Sequence, residues 1–368
     1  MVELSRREKI TELAIGLAKV VFFLYCFLLS ITLMGSAFKA SGKEFADTLM
    51  RTTANPFIGL VIGIVVTSII QSSSTTTTII VTMVGAGTLP LQSAIPMVMG
   101  ANIGTTVTNT IVSFGYVGRK TEFERSFGAS IVHDMFNIYA TCIFFPLELY
   151  TEIIYRSAQV LEKVFEGVGG FKFSSPLKII LNPIAHPIVD FVDNHYVLLI
   201  IAFIGLFFSM SGIVKNMKGI VVEKIELVLN RYLFRNTLIS IAFGMIFTSI
   251  VQSSSITTSI IIPLVGAGVL TIEQIFPYTL GANIGTTITA LLAVLALDEG
   301  KEAAMTIALC HLIFNIYGIL IFYPLKVLPI KTAKIVAAYV SKSKKHFLIF
   351  LFIYVLLHIL PIIFAKFS

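Results

Sequence analysis

The chain states one pattern twice. Thr67-Ser-Ile-Ile-Gln71-Ser72-Ser73-Ser74 returns as Thr248-Ser-Ile-Val-Gln252-Ser253-Ser254-Ser255, an offset of 181 residues. The same offset carries Gly100-Ala-Asn102-Ile-Gly104-Thr-Thr106 onto Gly281-Ala-Asn283-Ile-Gly285-Thr-Thr287, Pro96 onto Pro277 and Asn55 onto Asn236. Further on, His133 and Phe136-Asn137-Ile-Tyr139 match His311 and Phe314-Asn315-Ile-Tyr317 at an offset of 178. A repeat this long makes each half one structural unit. It divides the chain into a transmembrane repeat at 1–150, a linker at 151–194, a second transmembrane repeat at 195–330, and a basic loop with a C-terminal transmembrane helix at 331–368.

Apolar stretches at 15–34, 196–210 with its flanks, and 347–365 approach the ~20 residues that a bilayer-spanning helix needs. Only 13% of the 368 residues are charged, against roughly 25% in a soluble domain. A soluble enzyme is thereby excluded and the expected fold class is an all-α polytopic membrane protein. The net charge of +7 is read as a topology signal, with the runs at 215–224 and 331–345 facing the cytoplasm. Arg6, Arg7 and Lys9 place the termini on that side. The first apolar run is longer than a signal-peptide core and has a counterpart before the second repeat, so it is read as a true first helix. Cys26, Cys142 and Cys310 lie in apolar surroundings without ligand spacing and are read as packing residues.

From 52 to 118 there is no Asp, Glu, Lys or Arg, and from 236 to 297 only Glu273, which is expected at the surface. Polarity in these tracts is concentrated in clusters, and residues 71–78 are eight consecutive hydrogen-bonding side chains. Such a run suits a broken helix, whose freed backbone groups need capping at membrane depth. Gly100, Gly104, Gly281 and Gly285, with Asn102 and Asn283, are expected to open a second break in each half. Duplicated halves interrupted at corresponding positions are the pattern of secondary transporters. Whether the copies are parallel or inverted depends on the number of crossings between them.

Helix N-termini suit an anion, and freed carbonyls and hydroxyls suit a small hard cation. None of the clusters contains Arg or Lys, so an anion at membrane depth needs mobile cations for neutrality. Sodium bound beside it would both neutralise the anion and drive its uptake.

The doubled Gln-Ser-Ser-Ser clusters, each followed by Gly-Ala-Asn-Ile-Gly-Thr-Thr and by a helix with Phe-Asn, resemble the type II sodium-dependent phosphate cotransporter family in a compact, bacterial-type form. The resemblance covers about residues 13–325. It implies sodium-coupled phosphate uptake through two inverted repeats, each with a re-entrant hairpin carrying the Gln-Ser-Ser-Ser cluster, and alternating access, in a dimer in the plasma membrane. It also implies that Gln71, Ser72, Ser73 and Ser74 and their counterparts Gln252, Ser253, Ser254 and Ser255 face phosphate and sodium, with Asn102 and Asn283 beside the phosphate. The linker lacks the cysteines and the chain lacks the Asn-x-Ser/Thr sequons of the larger animal members. No soluble domain is expected after the last apolar stretch.

Ser73, Thr75, Thr76, Ser254, Thr257 and Thr258 are the hydroxyls expected to divide between sodium and helix capping. Asn137 and Asn315 are expected either to coordinate sodium or to hold a hairpin. Asp134 stands where the second half has Leu312; it is either a sodium ligand or the ion-pair partner of Arg119, Lys120 or Arg125. His133 and His311 are read as helix-packing residues. No resident cofactor is expected, and no metal cluster, nucleophile–base pair or P-loop points to an enzyme. A sodium symporter of another oxyanion, such as sulfate or a dicarboxylate, and a passive anion channel remain alternatives.

Overall fold

The computed structural model describes residues 6–169, 177–229 and 236–365, and among them every regular element is helical. The first half contains α1 (Arg6–Ala40), α2 (Gly42–Thr53), α3 (Pro56–Ile70), α4 (Ser73–Gly85), α5 (Leu91–Gly104), α6 (Val107–Phe114) and α7 (Lys120–Thr151). Helices α8 (Ile153–Gly169) and α9 (Leu177–Phe191) form the linker. The second half contains α10 (His195–Leu229), α11 (Thr237–Val251), α12 (Ser254–Ser259), α13 (Ile262–Gly266), α14 (Ile272–Ala296) and α15 (Lys301–Phe322), followed by α16 (Val327–Val340) and α17 (Lys344–Ala365). Ala14–Ala40, His195–Asn216, Ile272–Ala296 and Lys301–Phe322 are each long and apolar enough to cross a bilayer. Two further candidates are bent: α2 meets α3 at 100°, and α7 meets α8 at 77°. The latter corner is held by the Glu148 carboxylate, which accepts from the N–H groups of Ile154 (2.7 Å) and Tyr155 (3.2 Å) at the start of α8.

Helix pairs within each half pack backbone to backbone. A Cβ on Gly63 would lie 2.0 Å from the Met97 carbonyl oxygen, and one on Gly100 2.0 Å from that of Leu60, so α3 and α5 touch only because both residues lack one. In the second half Gly244 and Gly281 do the same for α11 and α14, at 2.2 Å from Tyr278 O and 2.0 Å from Ile241 O.

The entry helices α1 and α10 run antiparallel: Phe23 packs on Phe208 and Gly212, while Ser30 meets Gly205. At one end of the bundle Gly85, where α4 finishes, abuts Gly300, and Lys39 pairs with Glu299. Pro56 and Leu91 share a small cavity at that end, so the α3–α4 hairpin starts and finishes there. The α11–α13 hairpin finishes at the opposite end, where Gly266 lies beside Glu122 and Ser126 at the start of α7.

Three expectations need correction. The second half does not break at 281–287, since α14 continues through it as one helix; the glycines there serve close packing against α11. Residues 331–340 are helical rather than loop, because Ile330, Ala333, Ala337 and Val340 form a buried stripe, and α16 packs along α7. Asp134 has no ion-pair partner among the described residues: Arg119 binds Glu122 instead. Residues 366–368 and the side chains of 217–224 lie outside the described residues, so the charge run at 215–224 is not placed.

Candidate functional site

Each hairpin turns at its glutamine. Gln71 (φ 57°) ends α3 and Gln252 (φ 60°) ends α11 in the left-handed conformation, which costs a non-glycine residue roughly 1–2 kcal/mol. The following serine then caps the returning helix: Ser72 Oγ accepts from Thr75 N (3.2 Å) and Ser253 Oγ from Ile256 N (3.4 Å). Upstream, Asn55 and Asn236 cap the outgoing helices in the same manner. Thus the repeated residues impose the same local turn in both halves.

Most hydroxyls beyond the turns donate within their own helix. Thr75 Oγ1 donates to Ser72 Oγ (2.9 Å), Thr76 to Ser72 O (3.1 Å), Thr257 to Ser254 O (3.1 Å) and Thr258 to Ser254 O (2.7 Å). A hydroxyl that donates backwards keeps its lone pairs for a cation. Ser73 and Ser254, the first residues of α4 and α12, are buried and stand at helix N-termini where backbone N–H groups are free to bind an anion. Gln71 is exposed, whereas the Gln252 side chain is buried and accepts from Thr289 Oγ1 (2.6 Å).

The conserved-offset asparagines and histidines meet across the halves. His133 Nε2 lies 2.6 Å from Asn283 Oδ1, and His311 Nε2 lies 3.2 Å from Asn102 Oδ1. Asn283 Nδ2 donates to Asn137 Oδ1 (2.7 Å), and Asn137 Nδ2 to the Asn102 carbonyl (2.8 Å). Asn315 Nδ2 instead donates to His311 O in its own helix (2.9 Å). Asn102, Asn137, Asn283 and Asn315 are all buried, so the repeats join through a polar seam rather than through apolar contact alone.

Asp134 is buried, with Oδ2 unpaired, and lies within electrostatic reach of Tyr354, whose hydroxyl is beside Thr106 and Thr110. Among the described residues no three His, Cys, Asp or Glu side chains gather as a metal site. The oxygens of Ser, Thr, Asn and Asp134 in this region are donors of the kind that suits a hard ion.

Sequence reading missed Asn109. Its amide bonds Thr258 (Nδ2 to Oγ1, 2.8 Å) and receives Ser259 Oγ (2.9 Å), tying α6 to the second hairpin. The available signal was asymmetry, because the corresponding residue in the second half is Ala290.

The family described as Na+/Pi-cotransporter matches residues 26–150 and 206–341, leaving the linker and the start of α10 unmatched between them. The chain belongs to the Na+/Pi-cotransporter family. That family is one of transporters, not enzymes. Sodium-dependent phosphate transport protein 2A of Ovis aries is 34% identical over 94% of this chain and 66% of its own length. The protein of that name from Rattus norvegicus is 34% identical over 95% of this chain and 68% of its own. Sodium-dependent phosphate transport protein 2B of Homo sapiens is 32% identical over 85% and 59%, respectively. The chain thus spans between 59% and 68% of the length of these relatives. No solved structure matches it.

Proposed function

We propose that the chain is a plasma-membrane symporter that carries inorganic phosphate with sodium by alternating access between two inverted repeats, as a homodimer. The observation that carries this reading is the pair of buried helix N-termini at Ser73 and Ser254, each following a left-handed glutamine in a cluster whose sequence holds no Lys or Arg. They offer donors to an oxyanion but no fixed charge, so neutrality falls to sodium. In this reading Gln71 to Ser74, Gln252 to Ser255, Asn102 and Asn283 contact phosphate. Ser73, Thr75, Thr76, Ser254, Thr257, Thr258, Asn137, Asn315 and Asp134 supply the sodium ligands. The antiparallel entry helices, and hairpins that finish at opposite ends of the bundle, support the inversion. The names of the relatives support sodium and phosphate as cargo.

The test is uptake of radiolabelled phosphate by purified, reconstituted protein with sodium on one side only. Accumulation that stops when choline replaces sodium supports the reading. Sodium-independent flux without accumulation turns it into an anion channel, and preferential competition by sulfate or succinate changes the cargo.

A further inference from the structure

The repeats share most of their polar residues but not their bonds, and three differences have one sense. Ser255 Oγ, on the second hairpin, donates to the Thr105 carbonyl (3.3 Å), which the break between α5 and α6 leaves free. Its counterpart Ser74 Oγ is buried and unpaired, and α14 runs unbroken past Thr286, the counterpart of Thr105. Ser259 Oγ donates to Asn109 (2.9 Å), whereas the counterpart Thr78 Oγ1 is buried and unpaired and Asn109 is replaced by Ala290. Asn283 Nδ2 bonds Asn137 Oδ1 at 2.7 Å, but in the mirror-related pair both Asn102 Nδ2 and Asn315 Oδ1 are buried without partners.

Three corresponding contacts are therefore made by the second hairpin and its seam and left unmade by the first, which leaves four buried polar atoms unpaired. Buried polar atoms without partners are costly, and a native structure holds few of them. Three unmade bonds, each the image of a made one, point to a second arrangement of the same chain.

We infer that these are two alternative sets of latches. The set observed here is Ser255–Thr105, Ser259–Asn109 and Asn137–Asn283, with the first half broken after α5. In the other state Ser74 engages Thr286, Asn102 engages Asn315, and α14 opens at Thr286 while α5 and α6 straighten. The exchange is unequal, because Ala290 cannot offer Thr78 what Asn109 offers Ser259. One bond fewer in the second state makes the observed arrangement the resting one and leaves the second to be completed by bound cargo. This inference rests on the transporter reading only in calling the exchange part of a transport cycle.

The experiment is electron–electron double resonance on reconstituted protein without phosphate. Spin labels are placed at the exposed Ile69 and Ile250, which precede the two hairpin tips at corresponding positions, each measured against Ile204 on α10. Asn109→Ala and Asn137→Ala each remove a latch of the observed state and enrich a second distance population about fivefold, the effect of one hydrogen bond. Adding Asn315→Ala to either reverses the shift. Ala290→Ser, which removes no bond and adds a hydroxyl opposite Thr78, enriches the second population as well and covers the case in which the asparagine variants fold poorly. A single population in all variants, or Asn315→Ala shifting in the same direction as Asn137→Ala, overturns the inference. Population shifts without phosphate uptake would sink the phosphate reading and leave the latches standing.

Discussion

His133 and Asn283 stand 150 residues apart and share a 2.6 Å hydrogen bond, and their counterparts His311 and Asn102 make the reciprocal contact at 3.2 Å. Each repeat thus holds the asparagine of the other. His133→Ala leaves the Asn283 oxygen buried without this partner, at a cost of about 1–3 kcal/mol. Its thermal unfolding midpoint in detergent falls below that of the wild type; an unchanged midpoint removes the bond from the stabilising seam.

Gly100→Ala drives a methyl group to 2.0 Å from the Leu60 carbonyl, on backbone that cannot rotate away. Overpacking of this kind costs roughly 3 kcal/mol or more by forcing α3 from α5. Gly118→Ala meets nothing within 4 Å and serves as the control, expected within about 0.5 kcal/mol of the wild type. Comparable loss of monodisperse protein in both variants argues against the close-packing account.

Ser72 caps α4 in addition to its place in the proposed phosphate site, whereas the Ser73 side chain caps nothing. Ser72→Ala loses the cap of α4 and about 1 kcal/mol of stability. Ser73→Ala leaves the cap intact, so the unfolding midpoint holds while sodium-driven phosphate uptake falls at least tenfold; the same holds for Ser254→Ala. Full uptake in both Ser73→Ala and Ser254→Ala takes these hydroxyls out of the site.

Asp134→Asn keeps shape and replaces a buried carboxyl whose Oδ2 has no partner, so stability without sodium stays within about 1 kcal/mol of the wild type. Half-maximal activation by sodium moves upward at least tenfold. An unaltered sodium dependence makes Asp134 a structural residue.

Sodium and phosphate together raise the unfolding midpoint, because a ligand that binds only the folded state at 100 times its Kd contributes about 2.7 kcal/mol. Phosphate in potassium or choline gives no shift, since the helix N-termini alone do not neutralise it. An equal shift in potassium contradicts the coupling.

The helical membrane class, the repeated stretches and the clustering of their polar residues were legible in the sequence, whereas the turn residues Gln71 and Gln252 were read from the structure. The legible features are local matters, set by the absence of charge over long apolar tracts and by a fixed offset between copies. Tertiary structure decided what Gly100 and Gly281 do, because a Cβ-free surface serves a broken helix and a touching helix equally well until the neighbour is known. It likewise decided that α14 runs on where α5 stops, that Asp134 meets no arginine among the described residues, and that Asn109 closes on the second hairpin. Where the copies carry the same residue, as at Ser74 and Ser255, a difference in hydrogen bonds arises from which partner each meets across the interface, whereas at Asn109 and Ala290 the sequence itself differs.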